Sequence, residues 1–191
     1  VLNDISFRAE RGQTVAFIGA TGSGKSTLVN LVPRFYDVTG GEILVDGVNV
    51  KDLRQETLRQ KIAIVPQKGF LFSGTIRENI AFSDPSMPFG RIEEAAKIAE
   101  ADSFIREKPE GYDAPISQGG KNVSGGQKQR LCIARAVAMG AEILIFDDSF
   151  SALDYKTDRK VRENLANEAK GTTKLLSLIH ISEPTRRRGI S

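Results

Sequence analysis

The chain contains the stretch Gly19-Ala20-Thr21-Gly22-Ser23-Gly24-Lys25-Ser26-Thr27, which reads G-x-x-x-x-G-K-S, the pattern of a phosphate-binding P-loop. A short β-prone run at residues 14–18 precedes it, and residues 25–32 follow with helical spacing of their apolar side chains. In this order the glycines let backbone N–H groups surround a polyphosphate, and the helix N-terminus adds a positive dipole end. We expect Lys25 to contact the β- and γ-phosphates and the Ser26 hydroxyl to bind Mg²⁺.

Length, composition and charge restrict the size of the fold and the kinds of partner. With 191 residues the chain is long enough for one domain with a sizeable core. No apolar run approaches the ~20 residues of a membrane span, we expect no signal peptide, and the chain is expected to start within a longer gene. The single cysteine, Cys132, fits a reducing compartment and is expected to be buried. The net charge of +3 falls to +1 without residues 176–191, so the composition predicts no nucleic-acid partner.

The remaining pattern predicts an α/β fold with a helical insertion. Further strands are predicted at residues 1–7, 42–45, 48–50 and 62–67. Asp46-Gly47 joins two of them as a hairpin turn. Residues 68–139 are largely helical in pattern and end in a helix over 128–139, and a charged amphipathic helix is predicted over 158–169. Pro33 is expected to end the helix that follows the P-loop.

Two carboxylates follow an all-apolar run in Glu142-Ile143-Leu144-Ile145-Phe146-Asp147-Asp148. This run predicts a central strand, buried on both faces, whose carboxyl end is the edge at which ligands bind in such sheets. Asp147 would contact Mg²⁺, directly or through water, and Asp148 would face the attacking water. Gln67 ends a neighbouring strand and would bridge the metal and that water. The catalytic candidates are therefore Lys25, Gln67 and Asp148, and the metal candidates are Ser26, Gln67 and Asp147.

A second glycine-rich turn, Ser124-Gly125-Gly126-Gln127, opens the helix predicted over 128–139. A glycine pair at a helix N-terminus is an anion-binding arrangement in its own right. It stands too far along the chain from Lys25 to be an ordinary helix cap of the same site. We therefore expect it to bind a second nucleotide, shared with another subunit.

These motifs together resemble the ATP-binding domain of ABC transporters, and within that family the exporter class. The matching motifs are the P-loop at Gly19–Thr27, the Q-loop at Gln67, the signature at Val123-Ser124-Gly125-Gly126-Gln127, Walker B at Ile143–Asp147 and the D-loop at Ser151-Ala152-Leu153-Asp154. The stretch Leu71-Phe72-Ser73-Gly74-Thr75-Ile76-Arg77-Glu78-Asn79-Ile80 is similar to exporters rather than importers. The resemblance covers residues 1–175. It implies a P-loop NTPase core of the RecA-like type, residues 1–67 and 141–175, with a helical subdomain inserted at about 68–140 and both ends of the domain truncated.

The resemblance implies ATP hydrolysis that powers export of a substrate, with ATP and Mg²⁺ as cofactors. Two ATP-binding domains would form a head-to-tail dimer. Each ATP would lie between the P-loop, Gln67 and Asp147 of one subunit and the signature of the other. The dimer would lie at the cytoplasmic face of the cell membrane. There the Gln67 segment and the helical insertion would contact the coupling helices of the membrane domains.

Asp148 stands where the family usually has a catalytic Glu, and its carboxylate is one methylene shorter, which reduces its hydrogen-bond reach. We therefore expect this chain to be the weaker half of a heterodimeric exporter whose partner carries the Glu. Residues 116–120 replace an acidic segment that many exporters have before the signature. The aromatic residue that stacks on adenine would lie before Val1. For these reasons we expect the chain alone to bind ATP weakly and to hydrolyse it poorly or not at all.

Residues 176–191 resemble the in-frame translation of a sequencing adapter, so we expect them to be a tail that is not native to the domain. By register the family's switch histidine would fall at Ile179. His180 is one residue away, and in a strand that difference turns a side chain to the opposite face. We therefore do not expect His180 to be the switch.

Two other classes of protein carry a P-loop and remain open at this point. A soluble ABC-type ATPase of DNA repair or translation would lack the exporter-like residues 72–76, and transmembrane segments encoded upstream would decide against it. A P-loop kinase would have no use for the second glycine turn at residues 124–127. ATP-dependent dimerisation would separate a kinase from either ABC protein.

Overall fold

The computed structural model describes residues 2–178 and has a parallel four-stranded sheet at its centre. In chain order the strands are β1 (Thr14–Ile18), β2 (Leu44–Val45), β3 (Val48–Asn49), β4 (Ile62–Val65), β5 (Gly74–Thr75), β6 (Pro115–Ile116), β7 (Ile143–Asp147) and β8 (Thr173–Leu178). The helices are α1 (Lys25–Leu31), α2 (Gln55–Gln60), α3 (Ile76–Ile80), α4 (Phe89–Ile98), α5 (Asp102–Arg106), α6 (Gly125–Met139) and α7 (Tyr155–Glu168).

The order of the central sheet is β1-β8-β7-β4, so the strand that leads to the two carboxylates lies inside it, as predicted. The side chains of Leu144, Ile145 and Phe146 are buried because β7 is covered on both faces. Burial of side chains of this size stabilises a fold by about 1.5–3 kcal/mol each. Because the strands are parallel, the residues that follow β1, β4 and β7 meet at one edge of the sheet.

The P-loop helix and the hairpin also follow the sequence prediction. Helix α1 ends at Leu31, two residues before Pro33. Strands β2 and β3 form an antiparallel hairpin around Asp46-Gly47, and both of these turn residues have positive φ. The six-residue helix α2 was not predicted, because it is too short to show a helical period.

The insertion after β4 is mainly helical, as predicted. It contains α3, α4 and α5 together with a two-stranded sheet of β5 and β6. Helix α6 packs against α3 and α4 on one side and against β4 on the other. It therefore connects the helical subdomain to the central sheet. No helix within residues 2–178 combines the length and the apolar character needed to cross a lipid bilayer.

Several predicted bounds are wrong. Residues 2–7 form no strand; a strand needs a neighbour, and in residues 2–178 the hairpin strands β2 and β3 pair only with each other. Helix α6 begins at Gly125 rather than at residue 128, and α7 begins at Tyr155 rather than at residue 158. In both helices the preceding Ser or Asp side chain caps the first turn, so the glycines and Tyr155 are already helical.

Strand β8 does not stop at Leu175, where the resemblance ends. It continues through Leu178, so the first three residues of the proposed tail pair with β1 and β7. All of the residues Leu176, Ser177 and Leu178 are buried. Ile179 and His180 lie outside the described residues.

Candidate functional site

The P-loop connects the carboxyl end of β1 to helix α1. Gly22 and Gly24 have φ of +82° and +92°, the left-handed region that favours glycine, and helix α1 starts directly after Gly24. The backbone N–H of Gly19 donates to the carbonyl of Leu178, at 3.3 Å, and this bond fixes the start of the loop to β8. The loop therefore has the backbone conformation that its sequence predicts.

Lys25 lies against its own loop. Its Nζ donates to the carbonyl oxygens of Gly19 and Ala20, at 2.6 and 2.8 Å, and to the Ser23 hydroxyl at 3.2 Å. The ammonium group is thus held beside the backbone that is predicted to surround a phosphate chain. A phosphate oxygen that entered the loop would find a cation already in position.

Ser26 and Asp147 are in direct contact. The Ser26 hydroxyl donates to Oδ1 of Asp147 at 2.7 Å, which joins the first turn of α1 to the end of β7. A hydroxyl and a carboxylate are oxygen donors of the kind that Mg²⁺ binds, with phosphate oxygens and water completing its six ligands. Within residues 2–178 no cluster of three or more His, Cys, Asp or Glu side chains is placed to hold a metal ion. The Ser26 hydroxyl and the Asp147 carboxylate fit two positions of the oxygen ligand set that Mg²⁺ prefers.

Gln67 and Asp148 are also in contact. Gln67 Nε2 donates to Oδ2 of Asp148 at 2.9 Å. Asp148 is only 9% exposed and has φ of +46°, a left-handed conformation that Asp tolerates better than most residues. Its backbone N–H donates to the carbonyl of Ser177 at 3.1 Å. The carboxylate is therefore fixed at the sheet edge with one oxygen engaged by Gln67.

Lys25, Ser26, Gln67 and Asp148 line one open cavity of about 200 Å³, and Asp147 adjoins it through its hydrogen bond with Ser26. Its lining residues are Thr21, Gly22, Gly24, Lys25, Ser26, Thr27, Gln67, Asp148 and Ser177. The structure thus brings together the P-loop, Gln67 at the second position after β4, and Asp148 directly after β7, which lie far apart in the sequence. The arrangement can bind a polyphosphate and a divalent cation and can hold a water molecule beside a carboxylate.

The signature segment 124–127 does not line this cavity. Ser124 caps helix α6: its hydroxyl accepts from the N–H of Gln127 at 3.2 Å, and the Gln127 side chain accepts from the N–H of Ser124 at 3.1 Å. At Gly126 an added Cβ would meet the carbonyl of Ala152, in the D-loop, at 3.3 Å. The glycine turn and the D-loop therefore lie against each other in the same chain.

Sequence reasoning missed one residue of the cavity. Ser177 lies opposite Asp147 in the β7–β8 register and its side chain is 1% exposed. It was overlooked because residues 176–191 were set apart as a tail. The apolar character of residues 175–178 was the signal that the strand continues.

Comparison with known proteins identifies the family. The family model described as ABC transporter matches residues 2–151. A multidrug export ATP-binding/permease protein of Staphylococcus aureus (strain NCTC 8325 / PS 47) is 46% identical over 185 residues, which are 97% of this chain and 32% of that protein. The corresponding protein of strain bovine RF122/ET3-1 is 45% identical over the same shares. The chain therefore spans about a third of the length of these relatives.

A similar solved structure indicates the same family. The structure of a bacterial Atm1-family ABC exporter with ATP bound superimposes with a TM-score of 0.87 at 37% identity, over 92% of this chain and 31% of that chain. The predicted α/β fold of the P-loop NTPase type, with its helical insertion, is confirmed. The chain belongs to the ABC transporter family and contains that family's ATP-binding domain.

Proposed function

We propose that the chain is the nucleotide-binding domain of an ABC exporter, which binds and hydrolyses ATP to drive a substrate across a membrane. The observation that carries this proposal is the convergence of two pairs, Ser26 with Asp147 and Gln67 with Asp148, beside the P-loop at one sheet edge. The relatives support it, because they are described as multidrug export ATP-binding/permease proteins. The similar solved structure is an exporter with ATP bound.

Each group in the cavity has a role that follows from its chemistry. The backbone of residues 19–27 and the ammonium of Lys25 bind the phosphates of ATP. Ser26 and Asp147 would hold Mg²⁺, and Gln67 would contact that ion and the attacking water. Asp148 accepts a hydrogen bond from this water and orients it toward the γ-phosphate. Mg²⁺ supplies the positive charge that offsets the charge developing on the phosphoryl group.

A second ATP-binding domain completes the site. The glycine turn of residues 124–127 lies outside the cavity, yet it presents a capped helix N-terminus to an anion. In a head-to-tail dimer this turn of one subunit covers the ATP held by the P-loop of the other. The dimer lies at the cytoplasmic face of the membrane.

Asp148 makes this chain the weaker half of a heterodimer. Gln67 already engages its short carboxylate, which leaves one oxygen and less reach for a water molecule. A partner with Glu after its Walker B aspartate carries most of the turnover. The intact signature of this chain, at residues 124–127, serves the partner's site.

A membrane domain docks on an apolar groove of about 280 Å³ between the central sheet and the helical subdomain. Its walls include Ile64, Met139 and two exposed aromatic rings, Phe35 at 49% and Phe82 at 55% exposure. Exposed aromatic side chains of this size mark interaction surfaces. The occupant is a short coupling helix of the membrane domain, because the relatives, of which this chain covers 32%, are named permeases.

A soluble ABC-type ATPase would use the same cavity but would have no partner for this groove. Sequencing the locus upstream of this reading frame separates the two. Apolar segments of ~20 residues each support the exporter. A locus without them supports the soluble enzyme.

ATP-dependent dimerisation tests the shared site. In sedimentation velocity with MgATP, this chain mixed with the partner's ATP-binding domain is expected to shift from monomers to a dimer, and Ser124→Arg in this chain is expected to abolish the shift by filling the anion turn. Ser103→Arg, at an exposed serine of α5, is the matched control and should dimerise normally. A mixture in which both chains bind MgATP and remain monomeric at every concentration would exclude the shared site.

A further inference from the structure

Gln129 holds the chain on both sides of Gln67. It lies on helix α6 with only 2% of its surface exposed. Its Nε2 donates to the carbonyl of Pro66 and its Oε1 accepts from the N–H of Gly69, each at 3.1 Å. The buried side-chain amide of Gln129 thus bonds to the backbone on both sides of Gln67, the residue that is proposed to contact Mg²⁺ and water.

The approach of the two segments is close. An added Cβ at Gly69 would lie 2.8 Å from Oε1 of Gln129 and 3.1 Å from the sulfur of Cys132. Further along α6, Cys132 and Arg135 also donate to the carbonyl of Phe70, at 3.5 and 2.9 Å. These three residues are spaced by three, so they lie along one side of the helix. That side of α6 therefore sets the path of residues 66–70, which we call the Gln67 segment.

No regular secondary structure fixes the Gln67 segment, because β4 ends at Val65 and the next strand starts at Gly74. A buried glutamine often only satisfies nearby backbone groups. Here the two satisfied groups flank Gln67, whose own Nε2 reaches Asp148 at 2.9 Å. A shift of the segment away from α6 would move Gln67 away from that carboxylate.

We infer that Gln129 is a positioning residue for Gln67, and thereby for the metal and water that Gln67 would contact. The inference about Mg²⁺ rests on the proposed function. The inference that Gln129 fixes the Gln67 segment rests on hydrogen bonds within this chain. Helix α6 also carries the capped glycine turn at its start, so the two features share one rigid element. The Gln67 segment is fixed to the helix that begins with the proposed partner-facing turn.

Amide hydrogen exchange and nitrogen-15 NMR of the full chain, without nucleotide, test whether Gln129 fixes the Gln67 segment. Gln129→Met removes both hydrogen bonds, and exchange at the Gly69 amide should rise about fivefold, the ratio that one lost hydrogen bond represents. The side-chain amide resonance of Gln67 should move toward its position in Asp148→Ala, where its acceptor is absent. Gln129→Glu keeps an acceptor for Gly69 and should leave exchange at that amide within twofold of the original.

Arg130→Lys is the matched control. Arg130 is the next residue of α6, but it donates to the carbonyl of Glu100 and lies over the ring of Phe104, away from the Gln67 segment. Arg130→Lys should leave both the exchange rate of the Gly69 amide and the side-chain amide resonance of Gln67 unchanged. Unchanged exchange at Gly69 in Gln129→Met, or an equal rise in Arg130→Lys, would overturn the inference.

Mg²⁺ dependence gives the functional readout. In Gln129→Met the Mg²⁺ concentration for half-maximal binding of a fluorescent ATP analogue should rise about fivefold. Binding without Mg²⁺ should not change. If the unchanged chain binds no nucleotide, the proposed function is contradicted. Exchange at the Gly69 amide would then still show whether Gln129 fixes the Gln67 segment. Equal Mg²⁺ midpoints in the two chains would overturn the role of Gln129 toward the metal.

Discussion

The hydroxyl of Ser26 and the carboxylate of Asp147 are joined by a 2.7 Å hydrogen bond across 121 residues of sequence. One belongs to the first turn of the P-loop helix and the other to the end of the central strand. This contact fixes the phosphate-binding loop to the carboxylate edge of the sheet. It is the arrangement that binding of a metal–nucleotide complex requires, because both donors must reach one cation.

Lys25→Ala is expected to reduce ATP affinity by about 10–100-fold, the loss that follows from removing a charge-assisted hydrogen bond. Within residues 2–178 the Lys25 ammonium donates hydrogen bonds to its own loop alone, so the fold should be preserved. Binding of a fluorescent ATP analogue measures the effect. Lys156→Ala, at an exposed lysine of α7, is the control and should bind as the original does. Equal affinity in the two variants would contradict the assignment of Lys25.

The chain alone is expected to hydrolyse ATP far more slowly than an intact transporter, since a partner's glycine turn is absent from each site. A phosphate-release assay measures the rate, with Lys25→Ala as the blank. A Lys25-dependent rate that equals that of an intact transporter would contradict the view that this domain needs a partner.

Asp148→Glu is expected to raise turnover by up to about twofold in a dimer with a competent partner, because the longer carboxylate extends its reach to water and adds a second competent site to the partner's. Asp148→Asn should leave turnover nearly unchanged if the partner's Glu carries the reaction. Both rates are measured by phosphate release, and thermal unfolding checks that the left-handed position tolerates the longer side chain. A large loss of turnover in Asp148→Asn would show that Asp148 is itself the main catalytic carboxylate.

Cys132 is expected to resist alkylation in the folded chain. Burial raises the pKa of its thiol, so less thiolate is present at a given pH than in a free cysteine. With iodoacetamide at about pH 8 the folded chain should react at least about tenfold more slowly than the unfolded chain. The folded rate should increase with pH as the thiolate forms. Equal rates in the folded and urea-unfolded chains would contradict the buried position.

Strand β8 predicts a sharp difference between two truncations. A chain that ends after Leu175 loses two buried leucines and the contacts of Ser177 and Leu178 with Asp148 and Gly19. Its free energy of unfolding should fall by about 3 kcal/mol or more. A chain that ends after Leu178 keeps these contacts and should be more stable than the chain that ends after Leu175. Urea unfolding measures all three, and equal stability of the two truncations would contradict the role of this part of β8.

Local sequence predicted the parts of the molecule that rest on local physics. The P-loop, the Asp46-Gly47 hairpin and the buried strand before Asp147 each have a turn or a periodicity that a single stretch reveals. Helix α2 was missed because six residues show no period. The strand predicted at residues 1–7 was wrong because pairing depends on a neighbour that a local pattern does not include.

Contacts between distant segments could not be predicted in this way. The hydrogen bonds on both sides of Gln67 depend on Gln129, one of several polar residues of helix α6, and nothing in the local pattern connects Gln129 with Gln67. The pairing of Ser177 opposite Asp147 depends in the same way on the register of β7 and β8. The motifs therefore predict the chemistry, whereas the positions of the side chains that would perform it depend on tertiary packing.

Calorimetric titration of the chain with ATP, with and without Mg²⁺, tests the central claim most directly. We predict that Mg²⁺ increases ATP affinity in the original chain and that Ser26→Ala and Asp147→Asn both remove this increase, because each takes away one ligand of the metal. Binding of ATP without Mg²⁺ should persist in both variants. If the increase with Mg²⁺ survives in Asp147→Asn, or if the original chain binds ATP equally with and without Mg²⁺, the proposed nucleotide site is wrong.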